Sequence, residues 1–408
     1  MAKKKHRKIN LYKLIGSMLV TPPGASDFLS AIIYTIIAVG FVFSASASMK
    51  QTTTVSSITW SIGKQVIIVV IGTVFYHLCS VWISDEKYKK WIDALIVLEI
   101  AFLLVAYAWS KTLGSDNGSY SWIYLPGISF QPSEIAKIIG VQVIASKLSG
   151  LRFHDVKKPW EILFKPLLVL VGFFIIIVIL QRDMGTGVVF AAIMCICLLV
   201  PNHKLLRGTQ LFIIVCLICG GFLYCFFLTD PGVEFLRKFE FLQTVANRFE
   251  AVRNPSYYSD GTREIFYSLL GISKGKLKGV GLGDSVQKFG YLVSSDADYI
   301  FSIIVEETGL FGIAIVFILY ALLMGTLLYY AARVEGESDR VCLVGAVAYL
   351  FIHFFFNIGG VSGFIPLTGV PLLLLSRGGS AFLSIMCMLG ICQNAISRYN
   401  RSHPKARK

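Results

Sequence analysis

The chain has 408 residues, 55% of them hydrophobic and only 15% charged, with a mean hydropathy of +0.69. That leaves too little polar surface to cover a soluble globule of this size, so a polytopic membrane protein is expected. The net charge of +14 does not describe a nucleic-acid surface. Its lysines and arginines gather in the tails and in short loops between apolar runs, a distribution that reports topology and contact with anionic inner-leaflet lipid.

Residues 1–26 are basic and lack a small-residue cleavage site after an apolar core, which reads as a cytoplasmic tail. Apolar runs follow at about 27–49, 60–82, 91–109, 132–148, 166–180, 186–200, 209–228, 298–332, 341–358 and 371–397. Most reach the length a spanning helix needs. The fold expected is all-α: one integral membrane domain over 27–397 with ten transmembrane helices, followed by a second basic tail at 398–408. Of the basic residues near the ends of these runs, 22 fall in the tails and even-numbered loops, against three opposite (Lys50, Lys111 and Arg182). Both tails are therefore expected in the cytoplasm, with the large loop of about 229–297, between the seventh and eighth helices, outside. Within that loop, 233–252 and 263–275 carry apolar residues at helical spacing and are expected to lie along the bilayer surface.

Nine cysteines all sit in apolar runs, so neither disulfides nor a metal site is expected; the Cys216–Cys219 pair has no second pair beside it. Gly279, Gly281 and Gly283 lack the strand and the lysine of a phosphate loop and read as a turn that brings backbone close. They open the most informative stretch, 279–309, where a polar segment runs through Asp298 into a long apolar helix. Asp298 is expected in the first helical turn, as a cap or as a functional acid. Glu306 and Glu307 lie deeper, where charges are costly and default to function. At 100° per residue Glu306 shares the face of Asp298 and Glu307 points nearly opposite. In the fourth run, Glu134 and Lys137 stand three apart and can pair, either to lock packing or to line a polar path. Gln181 and Asp183 add polar groups after the fifth run, Asp183 also suiting a cap. His77 and His353 read as satisfied interior residues.

Five ordered stretches, FQPSEIAKI, QRDMGTG, GVGLGDSVQKFGYL, DADYIFSIIVEETGLFG and NIGGVSGFIPLTGVPLLLLSRGGS, resemble the SEDS family of FtsW, RodA and SpoVE. GLGDSVQK is nearer the division members than the elongation ones. The resemblance implies a peptidoglycan glycosyltransferase that polymerises lipid II, an undecaprenyl-pyrophosphate disaccharide-pentapeptide, at the outer membrane face. It also implies a class B penicillin-binding protein as partner, within a division or elongation complex. The family's essential acid maps onto Asp298, the candidate base of an inverting transfer. Candidate substrate contacts are Glu134, Lys137, Gln181, Asp183, Lys278, Gln287, Lys288 and Glu306. Positive charge on the departing pyrophosphate is sought from Lys137, Arg263, Lys274, Lys276 or Lys278. A divalent cation such as Mg2+ or Mn2+ is an alternative counter-charge, for which the sequence offers no dedicated cage.

Three departures from the family pattern stand out. Tyr120 and Ser121 occupy positions ahead of Trp122 where arginines are usual, Leu292, Val293 and Ser294 replace leucine-proline-glutamate, and Arg377 replaces an aromatic. A lipid flippase or proton-coupled carrier is the alternative from another class, and a weakened paralogue acting as a scaffold for a transpeptidase is the third.

Overall fold

A computed structural model describes residues 21–49, 54–82, 85–114, 118–125, 128–149, 159–239, 242–256 and 262–404; the basic stretch 1–20, Lys50, the loop 150–158 and the end of the second tail, 405–408, lie outside the described residues. Each of the ten apolar runs contains a helix, because in hydrocarbon only a helix satisfies its own backbone within one segment. These are α1 (Asp27–Ala47), α2 (Val55–Trp82), α3 (Asp85–Leu113), α4 (Ser133–Lys147), α5 (Pro159–Ile175), α6 (Met184–Leu198) and α7 (Arg207–Phe227). Then come α8 (Asp230–Arg237), α9 (Gln243–Arg253) and α10 (Arg263–Gly275) in the long loop, followed by α11 (Ile300–Ala331), α12 (Glu337–Val361) and α13 (Gly379–Ser402). Among the described residues eight helices are long and apolar enough to cross a membrane. The remaining two of the ten, α4 and α6, have 15 residues each. The protein is a polytopic all-helical membrane protein. A short hairpin, β1 (Ile123–Leu125) with β2 (Ile128–Phe130), lies between α3 and α4, pairing Ile123 with Phe130.

The main core is an apolar cluster in which α13 packs along α2, and α12 touches α4, α6, α11 and α13; a second, small one joins α8 and α9 through Val233, Leu236, Ala246 and Phe249. α7 stands apart, nearly all of its side chains exposed. A π-helical turn, Ile176–Leu180, closes α5 and delivers Gln181, whose amide bonds Ile176 O at 2.9 Å.

Two of the runs depart from expectation. The tenth, expected as helix from residue 371, is non-helical until Gly379, with Leu374 at φ +68°. Its leucines are buried, and side chains from other helices satisfy its carbonyls. Tyr320 donates to Leu373 O, and Ser44 donates to Leu375 O at 3.2 Å. Irregular backbone survives at this depth only because the protein caps it.

The eighth run is also not one helix. α11 begins at Ile300 rather than at Asp298, and Gly309 breaks it with φ +62° and ψ −145°. The break frees Glu306 O and Glu307 O, which would otherwise bond residues 310 and 311. Val280 N takes the first at 2.9 Å and Gly281 N the second at 3.1 Å, while Leu310 N turns to Lys276 O at 3.1 Å. The loop after α10 thus replaces the missing helical bonds one for one. Gly279 makes the approach possible: at φ +77°, a Cβ on it would lie 2.1 Å from Glu307 O. Gly279→Ala is expected to destabilise by at least about 2 kcal/mol, since both the positive φ and the space exclude a methyl group. Gly283→Ala has φ +90° but open space around it, and is expected to cost about 1 kcal/mol. Thermal unfolding in detergent measures both, and equal losses would refute the wedge.

Candidate active site

Asp298 lies in a turn held by Tyr299 N on Ser294 O (3.2 Å) and Ala297 N on Ser294 O (3.1 Å), so the helix starts only after it. The expectation of a helical first turn or a cap is corrected: Tyr299 precedes the helix and no side chain caps its end. The Asp298 backbone is pinned instead, its carbonyl accepting from Asn357 Nδ2 of α12 at 2.8 Å. The carboxylate itself has no hydrogen-bond partner among the described residues and is half-buried. It faces Gly369, where a Cβ would stand 3.7 Å from Oδ2. Burial raises its pKa, and the carboxylates of Glu264 and Asp296 push in the same direction, to about 6. Glu264 of α10 also accepts from Tyr299 OH at 3.2 Å.

Arg377, one of the departures from the family pattern, grips this turn. Its Nη1 donates to Asp296 Oδ2 at 2.9 Å and to Ser61 Oγ of α2 at 2.6 Å, and its backbone N donates to Asp296 O at 2.9 Å.

The two glutamates of α11 do not divide as helical angles suggested. Glu306 is buried and accepts from Ser285 Oγ (2.5 Å), Val286 N (3.2 Å) and Gln287 N (3.3 Å). It anchors the loop, and the acids that bear on Asp298 are Glu264 and Asp296. Glu307, one residue on, pairs with Lys288 Nζ at 3.0 Å, both side chains fully buried, with Ser46 Oγ of α1 donating at 2.6 Å. Lys288 Nζ also bonds Ser46 Oγ (3.0 Å) and Gly283 O (2.5 Å). Gln287 is buried with Oε1 unbonded, and Lys278 is exposed.

Glu134 and Lys137 pair at 2.7 Å with no exposed face. Lys137 Nζ also meets His353 Nε2 at 3.0 Å, and Tyr349 OH donates to Glu134 Oε2 at 2.6 Å. Asp183 caps α6, accepting from Thr186 N at 3.0 Å, and also accepts from Gln131 Nε2 at 3.0 Å. Gln181 is buried; its Nε2 donates to Leu103 O at 2.9 Å, and its carbonyl accepts from Tyr120 N at 2.7 Å. Arg182 lies over the Tyr120 ring at 5.8 Å, which brings a guanidinium to the position where the family arginines are replaced.

The sequence reading missed Asn357, Glu264 and Asp296 as neighbours of Asp298, and it missed Glu99. Glu99 sits at the middle of α3, buried, with neither carboxylate oxygen bonded among the described residues. Its only advance signal was a lone acid in an apolar run. Between α2, α3, α4 and α13 an apolar cavity of about 450 Å³ reaches from Phe130 and Ser380 to Ile391, and Ser380 Oγ accepts from Gln131 N at 2.9 Å. Among the described residues no three His, Cys, Asp or Glu side chains form a metal-holding group. The residues around Asp298 therefore do not fit a protein-built cation cage.

The chain is 28% identical over 366 residues to the probable peptidoglycan glycosyltransferase FtsW of Haemophilus influenzae, covering 87% of this chain and 86% of that one. It is 30% identical over 324 residues to the protein of the same name from Coxiella burnetii, covering 77% and 82%. To stage V sporulation protein E of Bacillus subtilis it is 29% identical over 315 residues, covering 77% and 81%. Among solved structures, a chain of a peptidoglycan synthase complex superposes with a TM-score of 0.67 at 22% identity, covering 92% of this chain and 98% of that one. RodA of Thermus thermophilus gives 0.60 at 21%, covering 92% and 97%. The model of the FtsW/RodA/SpoVE family, described as cell cycle protein, matches residues 26–402, and the chain belongs to that family.

Proposed function

We propose that the chain is a peptidoglycan glycosyltransferase that polymerises lipid II into glycan strands at the outer face of the cytoplasmic membrane, in cell division. One observation carries this reading: a half-buried Asp298 carboxylate, raised to about 6, that has no hydrogen-bond partner among the described residues and that its own backbone holds in place. The names of the relatives from Haemophilus influenzae and Coxiella burnetii support it.

A β-1,4 link made from an α-linked lipid pyrophosphate inverts the anomeric carbon, so one base suffices. Asp298 takes the acceptor hydroxyl's proton as that oxygen bonds the anomeric carbon, and the bonding pair of the breaking C–O bond leaves on the pyrophosphate. At neutral pH a carboxylate titrating near 6 is ionised, yet more basic than an ordinary aspartate. The leaving group needs positive charge rather than a proton. Exposed Lys274, Lys276, Lys278 and Arg182 are the candidates. Lys137 and Lys288, each buried in an ion pair, are not. Glu134, Lys137, Gln287, Lys288 and Glu306 then serve by holding elements rather than touching substrate, while Gln181 and Asp183 border the approach. The apolar cavity offers room for part of the polyprenyl chain. No step is routed through a divalent cation.

Both tails are assigned to the cytoplasm, the protein to the septum, and a class B penicillin-binding protein to its side. The solved neighbour belongs to a peptidoglycan synthase complex. A proton-coupled lipid carrier is the second reading, and the unbonded Glu99 carboxyl is the observation for it. Polymerisation of labelled lipid II by purified protein, with and without its transpeptidase, separates the two. A glycan ladder that vanishes with Asp298→Ala and survives Glu99→Gln is expected. Bound lipid II with no ladder under any condition would favour the carrier or a scaffold.

A further inference from the structure

Tyr349, His353 and Asn357 recur every four residues along one face of α12, and each bonds a different element of the site. At one end Tyr349 donates to Glu134, and at the other Asn357 Nδ2 donates both to Asp298 O and to Val370 O, each at 2.8 Å. His353 stands between them. Its Nδ1 lies 3.1 Å from Pro371 O, a carbonyl that can only accept, so Nδ1 carries the proton. Nε2 is then the acceptor for the Lys137 ammonium at 3.0 Å. The imidazole is fully buried, and both its nitrogens are committed.

Two successive carbonyls, Val370 O and Pro371 O, are thus held from α12, one by an amide and one by an imidazole. The residue just before them is Gly369, the backbone that faces the Asp298 carboxylate. Pro371 has no N–H, and Leu374 at φ +68° keeps the segment out of a helix; Arg377 ties its far end to Asp296, and the near end beside Gly369 is held by the bonds from α12.

We propose that His353 is a positioning residue for glycosyl transfer, tying the Glu134–Lys137 ion pair to the Pro371 carbonyl and so setting where the Gly369 backbone stands against the Asp298 carboxylate at which the acceptor sugar reacts. The inference rests on the assignment of Asp298 as the base. The ion pair then has a positioning role, because Lys137, held by Glu134, fixes the tautomer and tilt of the imidazole that fixes the segment. Misplacement of reacting groups by about 1 Å costs on the order of a hundredfold in rate.

The test uses the full chain in nanodiscs with its transpeptidase and compares His353→Leu, His353→Asn and His353→Gln. Leucine removes both bonds, asparagine is polar but too short to span them, and glutamine can accept from Lys137 while donating to Pro371 O. Hydrogen exchange at residues 367–376 and 294–299 is read beside kcat and KM for lipid II. Leucine and asparagine are expected to raise exchange in both segments at least tenfold and to lower kcat roughly 10- to 100-fold. KM should stay within about threefold, and glutamine should restore both readouts. If leucine does not fold, the asparagine and glutamine pair decides. Unchanged exchange in the asparagine variant, or raised exchange with unchanged kcat, overturns the proposal, as does a glutamine variant no better than leucine. A wild-type chain that makes no glycan while its segment responds to His353 would sink the glycosyltransferase reading instead.

Discussion

Asp298→Asn is expected to lower kcat for lipid II polymerisation by about 10²- to 10⁴-fold, the usual contribution of a general base, with KM little changed. The wild-type rate should rise with pH through about 6 and then level, because only the ionised carboxylate accepts the proton and burial with Glu264 and Asp296 has raised the pKa to that value. A stability readout accompanies it. A carboxyl whose folded pKa exceeds its unfolded one makes the native state bind more protons, so stability falls as pH rises from about 4 to 6. Asn carries no such penalty. Asp298→Asn should therefore melt higher than wild type at pH 7.5, with the gap closing by pH 5 and below. Both curves can be measured on one preparation. A variant that is inactive yet no more stable at pH 7.5 would remove the desolvated-acid account, and a fully active variant would remove the base.

Lys288→Met should unfold the loop end of the protein more readily than any surface change. It leaves the Glu307 carboxylate fully buried with Ser46 as its only remaining partner among the described residues, and stranding one member of a buried pair costs about 3–5 kcal/mol. It also releases Gly283 O, the contact by which Lys288 ties down its own loop. Replacing both partners with uncharged groups of similar shape is far milder, so Lys288→Met with Glu307→Gln should recover most of the loss. Thermal unfolding of the two single variants and the double variant in detergent closes the cycle. Additive losses would mean the pair is not the unit described.

The ten runs were legible because hydrophobicity over 15 to 32 residues has a single structural outcome in lipid. What escaped notice follows from groups far apart in sequence. Nothing in SIIVEETGLFG announces that Gly309 interrupts the helix, since a glycine in an apolar run is tolerated there; the break depends on Gly279 and its neighbours, thirty residues earlier, supplying replacement bonds. The same distance misled the reading of Glu306. A helical wheel counted from Asp298 assumed that both acids lie on one helix, whereas Asp298 precedes it and the partners of Glu306, Ser285 and the amides of Val286 and Gln287, arrive from outside the helix. For 371–378, PLLLLSRG has the composition of a helix, and only Tyr320 and Ser44 on other helices reveal why it need not be one. Asp298 itself stood out as an acid at the edge of an apolar run. Its neighbours did not, because Asn357 and Glu264 read as an ordinary amide and an ordinary first-turn acid until α12 and α10 are brought beside it.

The interruption at Gly309 divides α11 mechanically as well as structurally. Above the break Glu306 O and Glu307 O are bonded to 280–281, and below it Leu310 N to 276–277, so the loop after α10 bridges the upper segment and the long shaft where helical hydrogen bonds are missing. A load carried along α11 is therefore shared at the break with the loop after α10, the same loop whose Ser285, Val286 and Gln287 hold Glu306. A protein that grips this loop therefore has a hold on the segment that leads out of the Asp298 turn.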